Sequence, residues 1–402
     1  MRIDDHREKG QQITLGLLQG WLDVGAIGHF IAVVLHLGWT YNVGLLFVNL
    51  YFYIFNQQRF RADKQRIPAL QQALPVVCHL NRNHTNLETL TKIMRQIFIA
   101  TFLFLSITTF GQKLQWIPFN WVGDSISGKY FDKLAITIPV TLDNLPIKFR
   151  MQLDLGATVT VIYENSFKHY LDTYSELKNK IDTTLKFRMQ SQTNYKFKNL
   201  GLKLGNVSFG NRNIGHFKNF GDPISIDSIN TKSEKDIGTI APDLFENKIL
   251  IIDYPNKRIC VTTELPKQFS KAQFRDYKIK EGRIKIPITI NGKDEDVMFD
   301  TGSSLFALIT TTEKANEISS NPITDSLKIS TWGEYYMVYG QPIKSKIMYG
   351  QKQLNKAVVY FDSRKSDYDF YKEEEIWGIT GNAYFLNNVV IIDYKNKRFG
   401  VK

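Results

Sequence analysis

Cysteine is scarce in this chain of 402 residues, which contains only Cys78 and Cys260. A disulfide needs two cysteines, so the C-terminal part of the chain, with Cys260 alone, has no internal disulfide and depends on its apolar core. The two cysteines show no metal-type spacing, and no histidines cluster with them. We therefore expect no metal site.

The chain also lacks an arginine-rich run, although its formal net charge is +12. Basic proteins often bind nucleic acid or anionic membranes through clustered Lys and Arg. Here the lysines are scattered through segments in which apolar and polar residues alternate. This pattern favours a solubilising, lysine-rich surface, and we expect no nucleic-acid partner.

The first 93 residues differ in composition from the rest. Residues 1–93 contain 6 Arg and 3 Lys, whereas residues 94–402 contain 9 Arg and 33 Lys. No Lys, Arg, Asp or Glu occurs from Gly25 to Gln58, a stretch longer than the ~20 residues that span a bilayer. We predict an apolar, helical N-terminal extension, which is either a membrane segment or a buried soluble helix.

A second apolar run begins at Met94. A basic start precedes the uncharged stretch Ile97–Phe110, which ends at Gly111-Gln112. This order is typical of a secretory signal peptide and resembles bacterial export signals that are cut at Gly-Gln. We predict a signal peptide at 94–111, which makes 1–93 an over-extended gene start; the alternative is a genuine membrane anchor. Either way, the chain after Gln112 is expected outside the cytoplasm, in the periplasm or secreted, or held at the membrane.

An internal repeat organises the remainder. The sequence Gly238–Arg258 matches Gly378–Arg398 at an offset of 140 residues, and both contain Ile-Ile-Asp-Tyr followed by Asn-Lys-Arg. We predict an N-terminal lobe at 129–262, a polar linker at 263–278 and a C-terminal lobe at 279–402.

The local pattern within both halves is β. Apolar and polar residues alternate in Ile136–Leu142 and Ile284–Ile290, and Asn291-Gly292 is a strong hairpin signal. Other predicted features are tight turns at Asp253–Lys257 and Asp393–Lys397, a helix around Glu164–Lys180, and a solvated loop at Glu373–Glu375.

Each half also contains an aspartate followed two residues later by a glycine. Asp300-Thr301-Gly302-Ser303 follows an apolar strand in the second half, and Asp154-Leu155-Gly156-Ala157 stands at the corresponding place in the first. A single Asp-Thr-Gly triplet is a weak signal. Matched copies in a duplicated β domain are a strong one.

These motifs resemble the catalytic loops of the pepsin-like aspartic proteases and, more loosely, those of the retroviral ones. The resemblance covers about residues 129–402 and includes apolar-Gly pairs at Ile237-Gly238 and Trp377-Gly378. It implies a mainly β, duplicated, two-lobed acid-protease β-barrel fold, in which Asp154 and Asp300 activate a water that hydrolyses peptide bonds. The implied supporting residues of the two loops are Gly156, Ala157, Thr301, Gly302 and Ser303.

The same resemblance implies an extended peptide or protein substrate, no cofactor, no metal and a monomeric enzyme. The family closes a hairpin flap over its substrate, often with a tyrosine, and Tyr195 is the best candidate by spacing. The alternative is that Tyr195 is a half-buried residue of a strand.

One residue departs from the family pattern. Thr or Ser usually follows the first aspartate, where its hydroxyl forms a reciprocal lock with the opposite loop; here the residue is Leu155. We expect the Thr301 hydroxyl to lack its partner, at a cost of about 1–3 kcal/mol. A non-catalytic peptide-binding module with a degenerate site therefore stays open as the alternative function.

Overall fold

The computed structural model describes residues 114–320, 322–354, 357–362 and 364–402. The predicted extension at 1–93 and the predicted signal peptide or anchor at 94–111 lie outside the described residues. Among the helices of the described part, none has both the length and the apolar character needed to cross a membrane.

Strands dominate the described part of the chain, as the alternating pattern predicts, and the fold is mainly β. Its strands are β1 (Trp116–Pro118), β2 (Asn120–Ile126), β3 (Lys129–Leu142), β4 (Phe149–Leu153), β5 (Val161–Tyr163), β6 (Ile181–Met189), β7 (Gln192–Leu204), β8 (Val207–Phe217), β9 (Lys235–Ile240), β10 (Ile249–Asp253), β11 (Arg258–Thr262), β12 (Gln273–Asp276), β13 (Lys278–Lys280), β14 (Arg283–Ile290), β15 (Lys293–Phe299), β16 (Leu308–Thr311), β17 (Asp325–Thr331), β18 (Glu334–Pro342), β19 (Ile347–Tyr349), β20 (Lys352–Gln353), β21 (Val358–Asp362), β22 (Gly378–Thr380), β23 (Val389–Asp393) and β24 (Arg398–Val401).

Helices are few and short. The described α-helices are α1 (Glu164–Thr173), α2 (Ser175–Lys178), α3 (Thr312–Ile318) and α4 (Lys365–Glu373). The helix predicted around 164–180 is thus confirmed, but it breaks at Tyr174. Phe167 and Tyr170 of α1 are fully buried, and both rings pack on Phe149 of β4.

Three sheets organise these strands. An eight-stranded N-terminal sheet has the order β2-β3-β4-β9-β5-β8-β7-β6, and β3 also pairs with β7. A ten-stranded C-terminal sheet runs β17-β18-β21-β16-β22-β15-β14-β19-β20, with β13 paired to β14. A six-stranded shared sheet has the order β1-β11-β10-β23-β24-β12, so both halves of the repeat contribute to it.

The shared sheet takes two strands from each half, β10 and β11 from the first and β23 and β24 from the second. Its centre is the antiparallel pair β10–β23, in which the repeated Ile-Ile-Asp segments face each other and Ile251 pairs with Ile391. Its edges are β1, paired with β11, and β12, paired with β24. The segment predicted as a linker, 263–278, therefore contains β12, an edge strand of this sheet.

The turns that the sequence predicts are present. Asn291 and Gly292 join β14 to β15 with φ of 51° and 82°, the left-handed values that a two-residue hairpin turn requires. Asp253 and Asp393 close the β10–β11 and β23–β24 turns. Their carboxylates accept hydrogen bonds from the asparagine three residues on and from the arginine five residues on. They are turn formers, as predicted.

The prediction of a solvated loop at Glu373–Glu375 is wrong for its middle residue. Glu374 is only 5 % exposed, and its carboxylate lies 2.7 Å from Nη2 of Arg283 and 3.5 Å from Nζ of Lys285, itself 4 % exposed. A buried carboxylate needs such partners, so this loop is tied to β14 through buried charges.

Candidate active site

Asp154 and Asp300 each come directly after an interior strand of their own sheet. β4 ends at Leu153 and β15 ends at Phe299. In both sheets one strand separates the strand before the aspartate from the strand after it: β9 lies between β4 and β5, and β22 lies between β15 and β16. Both aspartate loops are therefore held by the same strand pattern.

Backbone hydrogen bonds fix the two aspartates at the ends of these strands. The N–H of Asp154 donates to the Ile240 carbonyl at the end of β9, at 2.9 Å. The N–H of Asp300 donates to the Thr380 carbonyl at the end of β22, also at 2.9 Å. This equivalence fits the matched sequence motifs.

One backbone N–H links the two carboxyl groups. The N–H of Gly156 lies 3.0 Å from Oδ1 of Asp154 and 3.1 Å from Oδ1 of Asp300. A Cβ atom at Gly156 would overlap the Asp300 carboxyl, and one at Gly302 would lie 2.8 Å from Cγ of Asp154. Each glycine thus lets its loop pack against the carboxyl of the opposite loop.

The hydrogen bonds to the two carboxyls are unequal. Oδ1 of Asp154 accepts from the N–H groups of Gly156 and Ala157, at 3.0 and 3.1 Å. Oδ1 of Asp300 accepts from Gly156 and Gly302, and its Oδ2 accepts from the Ser303 hydroxyl at 2.9 Å. Ala157 stands where Ser303 stands in the other loop, so the first loop lacks that hydroxyl.

The environment opposes ionisation of Asp154. Burial, followed by the neighbouring charge of Asp300 and the hydrogen bond with it, raises the pKa of Asp154 well above its usual value, and the two N–H donors offset this only in part. Two adjacent carboxyls cannot both ionise easily, so the pair retains a proton. Such a pair can act as acid and base at once.

Thr301 ties the two loops together. Its hydroxyl donates to the Leu153 carbonyl at 2.8 Å and accepts from the Leu155 N–H at 3.0 Å. The expectation that this hydroxyl lacks a partner is therefore wrong, because the backbone of the opposite loop satisfies it. Leu155 cannot return the interaction, and its side chain lies fully buried in the hydrophobic core.

A second support of the Asp300 loop was missed by the sequence analysis. The Asn382 side chain donates to the Thr301 carbonyl at 3.1 Å and to the Ser304 hydroxyl at 2.5 Å, and its oxygen accepts from Tyr254 at 2.5 Å. Asn382 follows Gly381, where a Cβ atom would collide with the Ser303 carbonyl. The sequence signal was weak because the first half has Pro242 at the position of Asn382.

Tyr195 lies on β7, in the body of the β6–β7 hairpin. It pairs with His216 of β8, so the two side chains share one face of the sheet, and the Lys218 ammonium lies 3.9 Å from its ring centroid. Phe197 lies on the same face and contacts Phe167 of α1. Tyr195 therefore points towards the α1 side of the hairpin, and its described contacts do not include Asp154 or Asp300.

Two hairpins, one from each sheet, meet at their tips. Nε2 of Gln190, in the β6–β7 turn, donates to the carbonyl of Trp332, in the β17–β18 turn, at 2.6 Å. The Trp332 ring lies 6.0 Å from Phe217 and 5.6 Å from Phe220, both in the N-terminal half. The contact joins two turns far apart in the chain, so the sequence did not indicate it.

Tyr163, the last residue of β5, packs against these aromatic residues. Its ring packs on Phe220 at 4.9 Å, and its hydroxyl forms a hydrogen bond with Thr239 of β9. Burial raises the pKa of the Tyr163 phenol; the hydrogen bond with Thr239 acts the other way, and the charge of Asp154 raises it further. Tyr163 is thus in ring contact with Phe220 and near enough to Asp154 for its charge to act on the phenol.

A comparison with models of protein families found no match to this chain. A comparison with curated proteins likewise found no relative.

Proposed function

We propose that this chain is an aspartic endopeptidase with a duplicated, two-lobed acid-protease fold. The single observation that carries the proposal is the Gly156 N–H, which reaches the carboxyls of both Asp154 and Asp300 at equivalent positions of two repeated halves. Paired carboxyls with one retained proton are what hydrolysis by an activated water requires.

The mechanism follows from the retained proton. One carboxylate takes a proton from a water held between the two groups, and the water oxygen attacks the peptide carbonyl carbon. The other carboxyl donates its proton to the carbonyl oxygen. The resulting diol collapses as the amide nitrogen is protonated and the C–N bond breaks, so one water and one peptide give an acid and an amine.

The substrate would be an extended peptide bound beneath the two hairpins. An extended chain can add to strand edges through backbone hydrogen bonds, and β6 and β17 are edge strands of their sheets. The Gln190–Trp332 contact would separate to admit it. We also propose that the enzyme works as a monomer outside the cytoplasm, the location on the basis of the predicted signal sequence that begins at Met94.

Leu155 favours a second candidate, a peptide-binding module without catalysis. Its side chain is aliphatic and buried, so it forms no hydrogen bond with the opposite loop. The side-chain hydrogen bonds between the two loops at this position come from Thr301. Binding needs the cleft but not the carboxyl pair. Both carboxyls are nevertheless present, and they accept hydrogen bonds from the N–H groups of the two glycines, which supports the protease.

The proposal is tested by digesting a broad peptide library with the full chain across acidic and neutral pH. We expect cleavage that a statine-type inhibitor blocks, since its hydroxyl takes the place of the attacking water. Peptide binding without any cleavage would favour the binding module instead.

A further inference from the structure

One side-chain hydrogen bond joins the N-terminal half of the repeat to the support of the Asp300 loop. The Tyr254 hydroxyl, in the turn after β10, donates to the side-chain oxygen of Asn382, in the C-terminal half, at 2.5 Å. The amide nitrogen of Asn382 donates in turn to the Thr301 carbonyl at 3.1 Å and to the Ser304 hydroxyl at 2.5 Å. The support of this loop therefore includes a side chain from the other half.

The residues of this network are buried, which leaves no water to replace a lost partner: Tyr254, Asn382, Thr301 and Ser304. The Asn382 amide has an acceptor oxygen and donor hydrogens on its nitrogen, and both ends are satisfied in one orientation while Tyr254 donates to the oxygen. Burial also raises the pKa of the Tyr254 phenol, so the hydroxyl keeps its proton and remains a donor. Tyr254 thus fixes which end of the amide faces the loop.

The Tyr254 ring is held by aromatic residues of the first strands. It stacks on Trp121 of β2, with 6.2 Å between the ring centroids and an interplanar angle of 15°. Phe119, which precedes β2, meets the same ring edge-on at 6.5 Å. Contacts between large rings have preferred geometries, so they restrict the direction in which the Tyr254 hydroxyl points.

The equivalent tyrosine of the second repeat lacks this connection. Tyr394 corresponds to Tyr254 at the offset of 140 residues, and its ring stacks on Phe245 at 6.2 Å. Position 242, which corresponds to Asn382, is a proline and offers no side-chain acceptor. Within the described residues, the buried Tyr394 hydroxyl has no hydrogen-bond partner. The two tyrosines are therefore a natural pair of test and control positions.

We propose that Tyr254 is a positioning residue, which acts through Asn382 to hold the Asp300 loop in the geometry that hydrolysis requires. The inference rests on the proposed function, because the loop is catalytic only if the chain is a protease. The described contacts of Tyr254 do not include Asp300, so it acts on the reacting group through the loop. Loss of the hydroxyl should therefore affect the alignment of the transition state more than the binding of substrate.

The first test removes the hydroxyl and keeps the ring. In the full chain, Tyr254→Phe should lower kcat for peptide hydrolysis by about 10- to 100-fold, because a small misplacement of a catalytic group is costly. KM should change by less than about twofold, which is the pattern of an interaction needed only in the transition state. Tyr394→Phe is the matched control and should leave both constants unchanged. An unchanged kcat in a folded Tyr254→Phe protein would overturn the proposal, as would a rise in KM alone.

A double variant tests the route through Asn382. Asn382→Ala should lower kcat at least as much as Tyr254→Phe does. Adding Tyr254→Phe to Asn382→Ala should then change kcat little, because two residues of one network are not independent. Losses of kcat that multiply in the double variant would show that Tyr254 acts by another route, which contradicts the proposal.

A spectroscopic measurement separates this inference from the proposed function. The full chain is labelled with ¹⁵N, and the backbone amide signals of Gly302 and Ser303 are followed by NMR. They should shift in Tyr254→Phe and stay in place in Tyr394→Phe, whether or not the chain cleaves peptides. A chain that hydrolyses nothing but shows these shifts would refute the protease and leave the role of Tyr254 in holding the loop. Unshifted signals in Tyr254→Phe would overturn the inference in either case.

Discussion

Thr301 is the residue that joins the two candidate catalytic loops. Its side chain is fully buried. The hydroxyl donates to the Leu153 carbonyl and accepts from the Leu155 N–H. The residue pattern predicts that Thr301 joins the two loops, but it does not show that the backbone of the opposite loop supplies both of its hydrogen-bond partners. Nothing in the residue pattern shows how closely the opposite loop approaches.

We predict that Thr301→Val lowers the free energy of unfolding by about 1–3 kcal/mol, because it leaves a buried N–H and a buried carbonyl without a partner. Urea denaturation of both proteins measures the difference. Thr301→Ser, which keeps the hydroxyl, is the matched control and should lose less. Equal stability of Thr301→Val and the unmodified chain would show that the two loops do not depend on this hydroxyl.

At the scale of elements, the two hairpins are held together by a small contact. One hydrogen bond from Gln190 joins the two tips, and beside it the Trp332 ring packs on Phe217, at the end of β8, and on Phe220 in the loop that follows. Few buried contacts mean low local stability, so this contact is suited to open and close.

We predict that Trp332→Ala speeds amide hydrogen exchange in the 187–193 segment of the β6–β7 hairpin, because it removes the ring packing on Phe217 and Phe220 that holds the carbonyl of residue 332 beside Gln190. Hydrogen exchange by mass spectrometry measures it. Tyr335→Ala removes an aromatic ring that is 72 % exposed on the same β17–β18 hairpin, and it should leave exchange at 187–193 unchanged. Identical exchange in Trp332→Ala and the unmodified chain would mean that the tips do not restrain each other.

The buried charges at Glu374 are the second feature at this scale. Glu374 contacts Arg283 and Lys285, both of β14, from the loop that follows α4. The run of three glutamates favoured a solvated loop, because sequence alone does not reveal which of three identical neighbours turns inwards.

We predict that Glu374→Gln destabilises the protein by about 3–5 kcal/mol, since it leaves the buried Lys285 ammonium without its carboxylate, whereas Arg283 keeps Glu281 as a partner. Thermal or urea unfolding measures the loss. Glu373→Gln and Glu375→Gln remove the same charge from exposed neighbours and serve as controls that should change stability little. A similar small effect in all three variants would contradict the role given to the buried pair.

At the scale of the whole molecule, equivalent strands of the two repeats pair with each other in the shared sheet. Strands β10 and β23 could be predicted from sequence, because Ile-Ile-Asp-Tyr recurs at a constant offset. The edge strands β1 and β12 could not, since Trp116–Pro118 and Gln273–Asp276 share no sequence and fall outside that offset. Yet the arginine in the neighbouring strand stacks on an aromatic ring at both edges, Arg258 on Trp116 and Arg398 on Phe274.

The candidate site likewise contains some residues that the sequence predicts and others that it does not. Both aspartates and both glycines were found from the sequence, because their chemistry requires them at matched positions. Asn382, Tyr254 and the Gln190–Trp332 contact were not found, because each depends on segments brought together only by the folded chain. Tyr195 was predicted as the flap residue from its spacing along the chain. Spacing does not determine the face of the strand on which a side chain lies.

The most direct test of the account is peptide hydrolysis by Asp154→Asn and Asp300→Asn, each made in the full chain and shown by circular dichroism to be folded. We predict that either change abolishes hydrolysis and that the double variant is hardly worse, because residues that act as a unit are strongly non-additive. Unchanged hydrolysis in either folded single variant would remove Asp154 and Asp300 as the catalytic pair.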